Sequence, residues 1–161
     1  MKKKWLLLSG LILCLCLLVG LSVTFWKTWP SDATSIQTET AASSNKTQEM
    51  SGLVLTLNGV TTEKQEDDTL LVLADVTIEN TRKSTVNFSL MNFTLMDTDH
   101  YAYEHVSNVE TKGILGGQIP SGRAVSGEVA FIVPKGASFE LLYTDHFRTG
   151  QLVFPFTVDN K

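Results

Sequence analysis

Residues 5–26 read WLLLSGLILCLCLLVGLSVTFW and contain no charge. Wound as an α-helix at 1.5 Å per residue, this run is about 33 Å long, enough to cross the hydrocarbon core of a bilayer. Trp5 and Trp26 stand at its two ends, where indole rings favour the headgroup region. Lys2, Lys3 and Lys4 precede the run and Lys27 follows it, so the positive-inside rule puts the N-terminus in the cytoplasm. The reading is a signal-anchor in a single-pass cell-membrane protein. Residues 1–4 form a cytoplasmic tail, 5–26 a transmembrane helix, and the C-terminal part is extracellular.

Two other uses of an apolar N-terminus fit less well. A cleaved signal peptide has an apolar stretch of about 7–15 residues followed closely by a small-x-small site. Here the run is longer and closes on Phe25 and Trp26 with Lys27 directly after it, which suits no such site, while Ser31-Asp32-Ala33 lies too far downstream. A lipid-modified cysteine needs a small residue before it, whereas Cys14 and Cys16 follow Leu13 and Leu15. Both cysteines lie inside the run, so the outer region folds without disulfides.

Charge is divided unevenly along the chain. Setting aside the four lysines that flank the run leaves 9 Lys and Arg against 17 Asp and Glu, a net of −8 for the outer region. An acidic surface repels phosphate backbones, which excludes nucleic acid as a partner. Residues 30–50, PSDATSIQTETAASSNKTQEM, are polar and small, with Ile36 and Met50 as the sizeable apolar exceptions. Such a segment buries too little surface to offset its ordering entropy. Residues 27–50 are therefore expected to form a disordered stalk, a flexible linker that holds a domain of residues 51–161 off the membrane.

From Ser51 the apolar period becomes two. Leu70, Val72, Ala74, Val76 and Ile78 fall on one face of a strand, with Asp75, Thr77 and Glu79 on the other. Val125, Gly127, Val129, Phe131 and Val133 repeat the pattern, as do Leu152, Phe154, Phe156 and Val158. Shorter strands are expected over residues 53–60, 85–90, 92–97, 101–104 and 139–144. Ile119-Pro120-Ser121-Gly122 and Val133-Pro134-Lys135-Gly136 put Pro second and Gly fourth in two expected turns. Pro155 cannot donate to a ladder, so the last strand should have a free edge. Seven to eight short strands in about 110 residues predict an all-β, antiparallel sandwich of immunoglobulin-like size.

Two runs carry a family resemblance. Leu115-Gly116-Gly117-Gln118-Ile119-Pro120-Ser121-Gly122, and then residues 125–136, VSGEVAFIVPKG, resemble the signature of a bacterial extracellular domain family of unknown function. Val76-Thr77-Ile78-Glu79-Asn80 is similar to the family's strand ending in Glu-Asn, and residues 97–101 to its Asp-rich hairpin. His100 stands where the family often has Gly. That family is related to an immunoprotective secreted antigen, and the resemblance implies an immunoglobulin-like β-sandwich over about residues 53–158. It implies no catalytic residues.

Candidates for chemistry are sparse. Asp97, Asp99, His100, Glu104 and His105 crowd one stretch, with Asp145 and His146 further on, and imidazole with carboxylate is a ligand set for divalent metals. Their spacing matches no established site, and Asp is common in hairpin loops for turn reasons alone. Glu66-Asp67-Asp68 lacks the alternation of a calcium loop. Gly113, Gly116 and Gly117 lack the Gly-Lys-Ser/Thr of a phosphate loop and read as a crossing between sheets. Ser121 and Ser126 lie in no nucleophile elbow. Tyr101, Tyr103, Tyr143 and Phe147 are candidates for a recognition surface, or for core and rim positions.

No catalytic, cofactor-binding or metal residue is therefore assigned, and no cofactor is expected. The expected function is a membrane-anchored, non-enzymatic module whose partners are the bilayer and a protein or envelope ligand. The alternatives are a metal-dependent envelope enzyme using residues 97–105, or an accessory subunit of a membrane complex. In the latter, Ser9, Gly10, Gly20 and Ser22 would pack the helix closely on a partner.

Overall fold

The computed structural model describes residues 39–41 (backbone only), 46–136, 138–145 and 150–158. The chain divides into two units, Met1–Ser35 and Ile36–Lys161, and all described residues belong to the second. The expected transmembrane run lies outside them. Among the described residues no helix is long and apolar enough to cross a membrane.

Eleven strands are present among the described residues: β1 (Glu39–Ala41), β2 (Lys46–Met50), β3 (Leu53–Lys64), β4 (Thr69–Asn80), β5 (Val86–Phe88), β6 (Phe93–Asp97), β7 (Ala102–Glu104), β8 (Gly117–Ile119), β9 (Ala124–Pro134), β10 (Ser138–Thr144) and β11 (Gln151–Thr157). Among the described residues a single 3₁₀ turn, at Leu90–Asn92, is the helical exception. All pairings are antiparallel. One sheet runs β1-β3-β4-β9, with β2 on the same edge of β3 as β1; a second runs β11-β10-β6-β7; β5 and β8 pair by themselves. One apolar core joins these sheets, so the domain is an all-β sandwich.

The expected alternation sets that core. Leu70, Val72, Ala74, Val76 and Ile78 of β4 are buried, and so are Val129, Phe131 and Val133 of β9. The opposite sheet contributes Phe93, Leu95, Phe139, Leu141, Tyr143 and Phe154. Between Leu57 and Gly59 the β3–β4 register shifts by one, which is a β-bulge at Asn58. The shift explains why Leu53, Leu55 and Leu57 face inward and then Val60 and Thr62 do, three residues on rather than two. The Asn58 amide donates to Asp75 and Thr77 on β4, both at 2.9 Å, which holds the bulge in place.

The domain begins earlier than the expected boundary at residue 51. Lys46–Met50 pairs with Leu53–Leu57, and Glu39–Ala41 pairs with Val60–Thr62. Part of the segment expected to be linker thus belongs to the sheet. Its polar composition argued against a buried segment, but an edge strand is held by backbone pairing and needs only one face on the core. Ser51 and Gly52, with φ of 53° and 73°, close the β2–β3 hairpin in the two-residue form that matches strand twist. β8 was likewise unexpected, since Gly117-Gln118-Ile119 is too short to show a period.

The turn after β8 is displaced by one residue from the expected one. Arg123 N–H donates to the Pro120 carbonyl at 3.1 Å, so the turn spans Pro120–Arg123, with Gly122 third at φ 69°. The third position of a type II turn requires positive φ, which outweighs the preference for Pro in second place. β11 lies at the edge of its sheet, as Pro155 requires.

Beyond β7 the chain crosses to the edge of β9. Val106 N–H donates to the Ala130 carbonyl, and Glu128 N–H donates to that of Lys112. Lys112 N–H in turn donates to the Glu128 carboxylate at 2.7 Å. Gly113, at φ 74°, comes so close that a Cβ there would stand 2.7 Å from the Ser126 carbonyl oxygen. Only glycine allows that approach.

Candidate functional site

A cleft of about 540 Å³ opens at the end of the sandwich that carries the β6–β7 hairpin. Its geometry follows from strand register. Phe139 on β10 pairs with Asp97 on β6 and with Phe156 on β11, so these three residues form one row across the four-stranded sheet. The two phenyl rings lie 6.0 Å apart, tilted by 33°. Leu57 and Val60 of β3 line the cleft from the opposite sheet.

Asp97 ends β6 and organises the hairpin. One carboxylate oxygen accepts the N–H groups of Asp99 and Tyr101, both at 2.9 Å, and the other accepts the Tyr103 hydroxyl at 2.7 Å. Desolvation works to raise its pKa. The bonds from Tyr103, Tyr101 and Asp99, together with the charge of His100, outweigh it and hold the carboxyl below its ordinary value. The bond from Asp97, and desolvation after it, push the Tyr103 phenol up. His100 N–H donates to the Asp97 carbonyl at 3.2 Å, and His100 sits at φ 68°, the conformation for which glycine is the usual choice.

β2 closes the far side. The Lys46 ammonium donates to the Pro155 carbonyl, and the Gln48 amide donates to that of Val153 at 2.5 Å. Both carbonyls belong to the outer edge of β11. The edge Pro155 leaves without a strand partner is thus covered by side chains from the other sheet, and Lys46 enters the cleft wall.

The structure brings together only part of the acidic and histidine stretch. Asp97 and His100 line the cleft, whereas Asp99 is exposed on the turn and Glu104 faces away on β7. Asp145 is buried at the other end of β10, and His146 and Phe147 lie outside the described residues. Among the described residues no group of three or more His, Cys, Asp or Glu side chains converges as a metal site. Asp67 accepts the Thr69 hydroxyl at 2.6 Å within the β3–β4 hairpin, and Lys135 pairs with Asp68. The Ser121 hydroxyl donates to the Arg82 carbonyl, and Ser126 exchanges a hydrogen bond with Thr77. Of the tyrosines, Tyr101 is 68% exposed and Tyr103 is bonded to Asp97, while Tyr143 is buried and stacked on Phe88.

Several cleft residues carried no sequence signal. Lys46 and Gly59 lie in segments read as linker and plain strand, and Glu140 as one polar residue of a short strand. The three-residue step from Leu57 to Val60 was the legible trace of the bulge beside them.

Comparison with known proteins extends this picture. Residues 32–153 match a domain of unknown function, DUF4352. The uncharacterized lipoprotein YjhA of Bacillus subtilis is 30% identical over 77 residues, which are 47% of this chain and 36% of that protein. The uncharacterized lipoprotein YcdA of the same organism is 29% identical over 109 residues, 67% of this chain and 31% of that one. The matches thus span about a third of the length of these relatives. The crystal structure of YcdA superposes with a TM-score of 0.58 at 23% identity, over 73% of this chain and 39% of that chain. A functionally unknown protein from Listeria monocytogenes gives 0.57 at 11% identity, over 78% and 87%. The fold is shared at identities too low to carry function. With three quarters of its length matched, β1 and β2 included, this chain belongs to the DUF4352 family of domains of unknown function.

Proposed function

We propose that the chain is a single-pass, signal-anchored cell-membrane protein presenting an immunoglobulin-like sandwich outside the cell, which binds a protein or envelope ligand without catalysing a reaction. The observation that carries this reading is the end cleft, where an aromatic pair is flanked by charged groups from both sheets. Ligand sites of this kind are concave, largely apolar, and oriented by a few polar groups. The uncharged run of residues 5–26 supports the anchor, and the lipoprotein names of the Bacillus relatives support an envelope location. Leucine before both cysteines favours a helical anchor over a lipid-modified cysteine.

The test is retention on isolated envelope fragments. Full-length protein in detergent should co-sediment with them, and Phe156→Ala should reduce retention while the domain still melts cooperatively. Equal retention of both would remove the cleft from the binding surface.

A further inference from the structure

Asn58-Gly59 is the one Asn-Gly pair in the chain. Asparagine before glycine is prone to close on itself, because glycine has no Cβ to hinder its own nitrogen as it meets the asparagine side chain. The fold puts this pair at a break in the ladders of β3. The β3–β4 register steps over Asn58, β2 pairs only as far as Leu57, and β1 pairs only from Val60. The Asn58 side chain ties the strand down instead. Its amide nitrogen gives both hydrogens to β4, to the Asp75 carboxylate and the Thr77 hydroxyl, each at 2.9 Å. Thr77 is bonded in turn to Ser126 at 2.7 Å, so the contact reaches from β3 across β4 to β9. Swinging the side-chain carbonyl carbon onto the Gly59 nitrogen requires the release of both amide bonds.

We infer that Asn58 is a deamidation site that the bulge holds latent. When the bonds to Asp75 and Thr77 open, the Gly59 backbone nitrogen attacks Asn58 Cγ and gives up its proton. The bond from Cγ to the side-chain nitrogen breaks, ammonia leaves, and a cyclic succinimide remains. Water then adds to one of the ring carbonyls and opens it to aspartate or isoaspartate, with no other reactant consumed. Neither product rebuilds the bulge. Aspartate sets a carboxylate against that of Asp75 where a donor had been, and two such groups in contact cannot both stay ionised in place. Isoaspartate adds a methylene to the main chain between Leu57 and Val60, both of which must face the core. Leu57, Gly59 and Val60 line the cleft, so the conversion alters its wall irreversibly.

The test is peptide mapping by mass spectrometry of the full chain in detergent micelles, aged in mildly alkaline buffer beside a synthetic peptide of residues 55–62. Asn58 should convert, with isoaspartate among the products, about tenfold or more slowly than in the peptide. Thr77→Val and Asp75→Ala should each speed conversion about threefold or more, the effect of losing one net hydrogen bond. Thr56→Val removes a hydroxyl contact with Thr47 on the same strand and should leave the rate unchanged. Aged wild type should melt lower than fresh protein. Asn58→Gln, whose longer side chain closes a larger ring far more slowly, should melt alike fresh and aged. A cooperative melt of each fresh variant verifies its fold. An Asn58 that stays intact, or converts as fast as in the peptide, overturns the inference. So does equal acceleration by Thr56→Val, which means a general loosening of β3, and so does an unchanged melt after conversion.

Discussion

Asn80 shows what one residue does in this fold. It ends β4 with no exposed surface. Its amide donates to the carbonyls of Ser84 and Ile119, both at 2.8 Å, while its side-chain oxygen accepts the Arg82 N–H at 2.9 Å. Its backbone carbonyl accepts the Gly122 N–H. Asn80 thus ties the ends of β4 and β8 together, a structural reason for a strand ending in Glu-Asn. Asn80→Ala should cost about 1–3 kcal/mol in urea unfolding, because it orphans the buried Ile119 carbonyl and two part-buried groups. Phe131→Ala should cost about 3–5 kcal/mol, the usual range for truncating a buried phenylalanine. Glu128 points away from the core, which alone would make Glu128→Ala nearly neutral. Since its carboxylate holds the Lys112 N–H, a loss of about 0.5–1.5 kcal/mol is expected in the same assay. Asp97 makes the domain pH-dependent. Its folded-state pKa lies below the ordinary 3.8, so its contribution is complete above 3.8 and is lost as pH falls through the lower folded-state value. Melting temperatures of wild type and Asp97→Asn should differ near neutrality and converge in that acid window.

At the scale of elements, all eight strands expected from alternation are present, each within a few residues. β1, β2 and β8 were not legible, and for one reason. Each is three to five residues long and at least half exposed or polar, so backbone pairing with a neighbour does what burial does elsewhere. The consequence for β2 is testable. A fragment of residues 46–161 keeps the β2–β3 ladder and the bonds from Lys46 and Gln48 to β11. A fragment of residues 51–161 loses them and bares two strand edges. Chemical denaturation should find the shorter fragment about 2–4 kcal/mol less stable, at a net 0.5–1.5 kcal/mol per lost bond. It should also associate more readily in sedimentation. Equal stability would mean that β2 contributes nothing to the closed edge.

For the whole molecule, the expected anchor sets a membrane topology with the sandwich outside. Protease added outside spheroplasts should degrade the sandwich domain and leave a short, membrane-embedded fragment that begins at residue 1. Labelling with radioactive palmitate should leave the chain unmodified. Protection from protease, or incorporation of palmitate, would replace the helical anchor with another arrangement. The division of labour between sequence and structure follows from range. Hydropathy length, charge asymmetry and period-two alternation are local quantities; the first two underlie the expected anchor, and alternation sufficed for the all-β class and the core faces of β4, β9 and β11. Strand order, the bulge at Asn58, the crossing onto β9 and the capture of β2 by β11 depend on which distant segments meet. The cleft belongs to this second group. Lys46, Val60, Asp97, Phe139 and Phe156 come from β2, β3, β6, β10 and β11, spread over more than a hundred residues. Their meeting is decided by the register of three antiparallel pairings and the packing of two sheets, which no local pattern encodes.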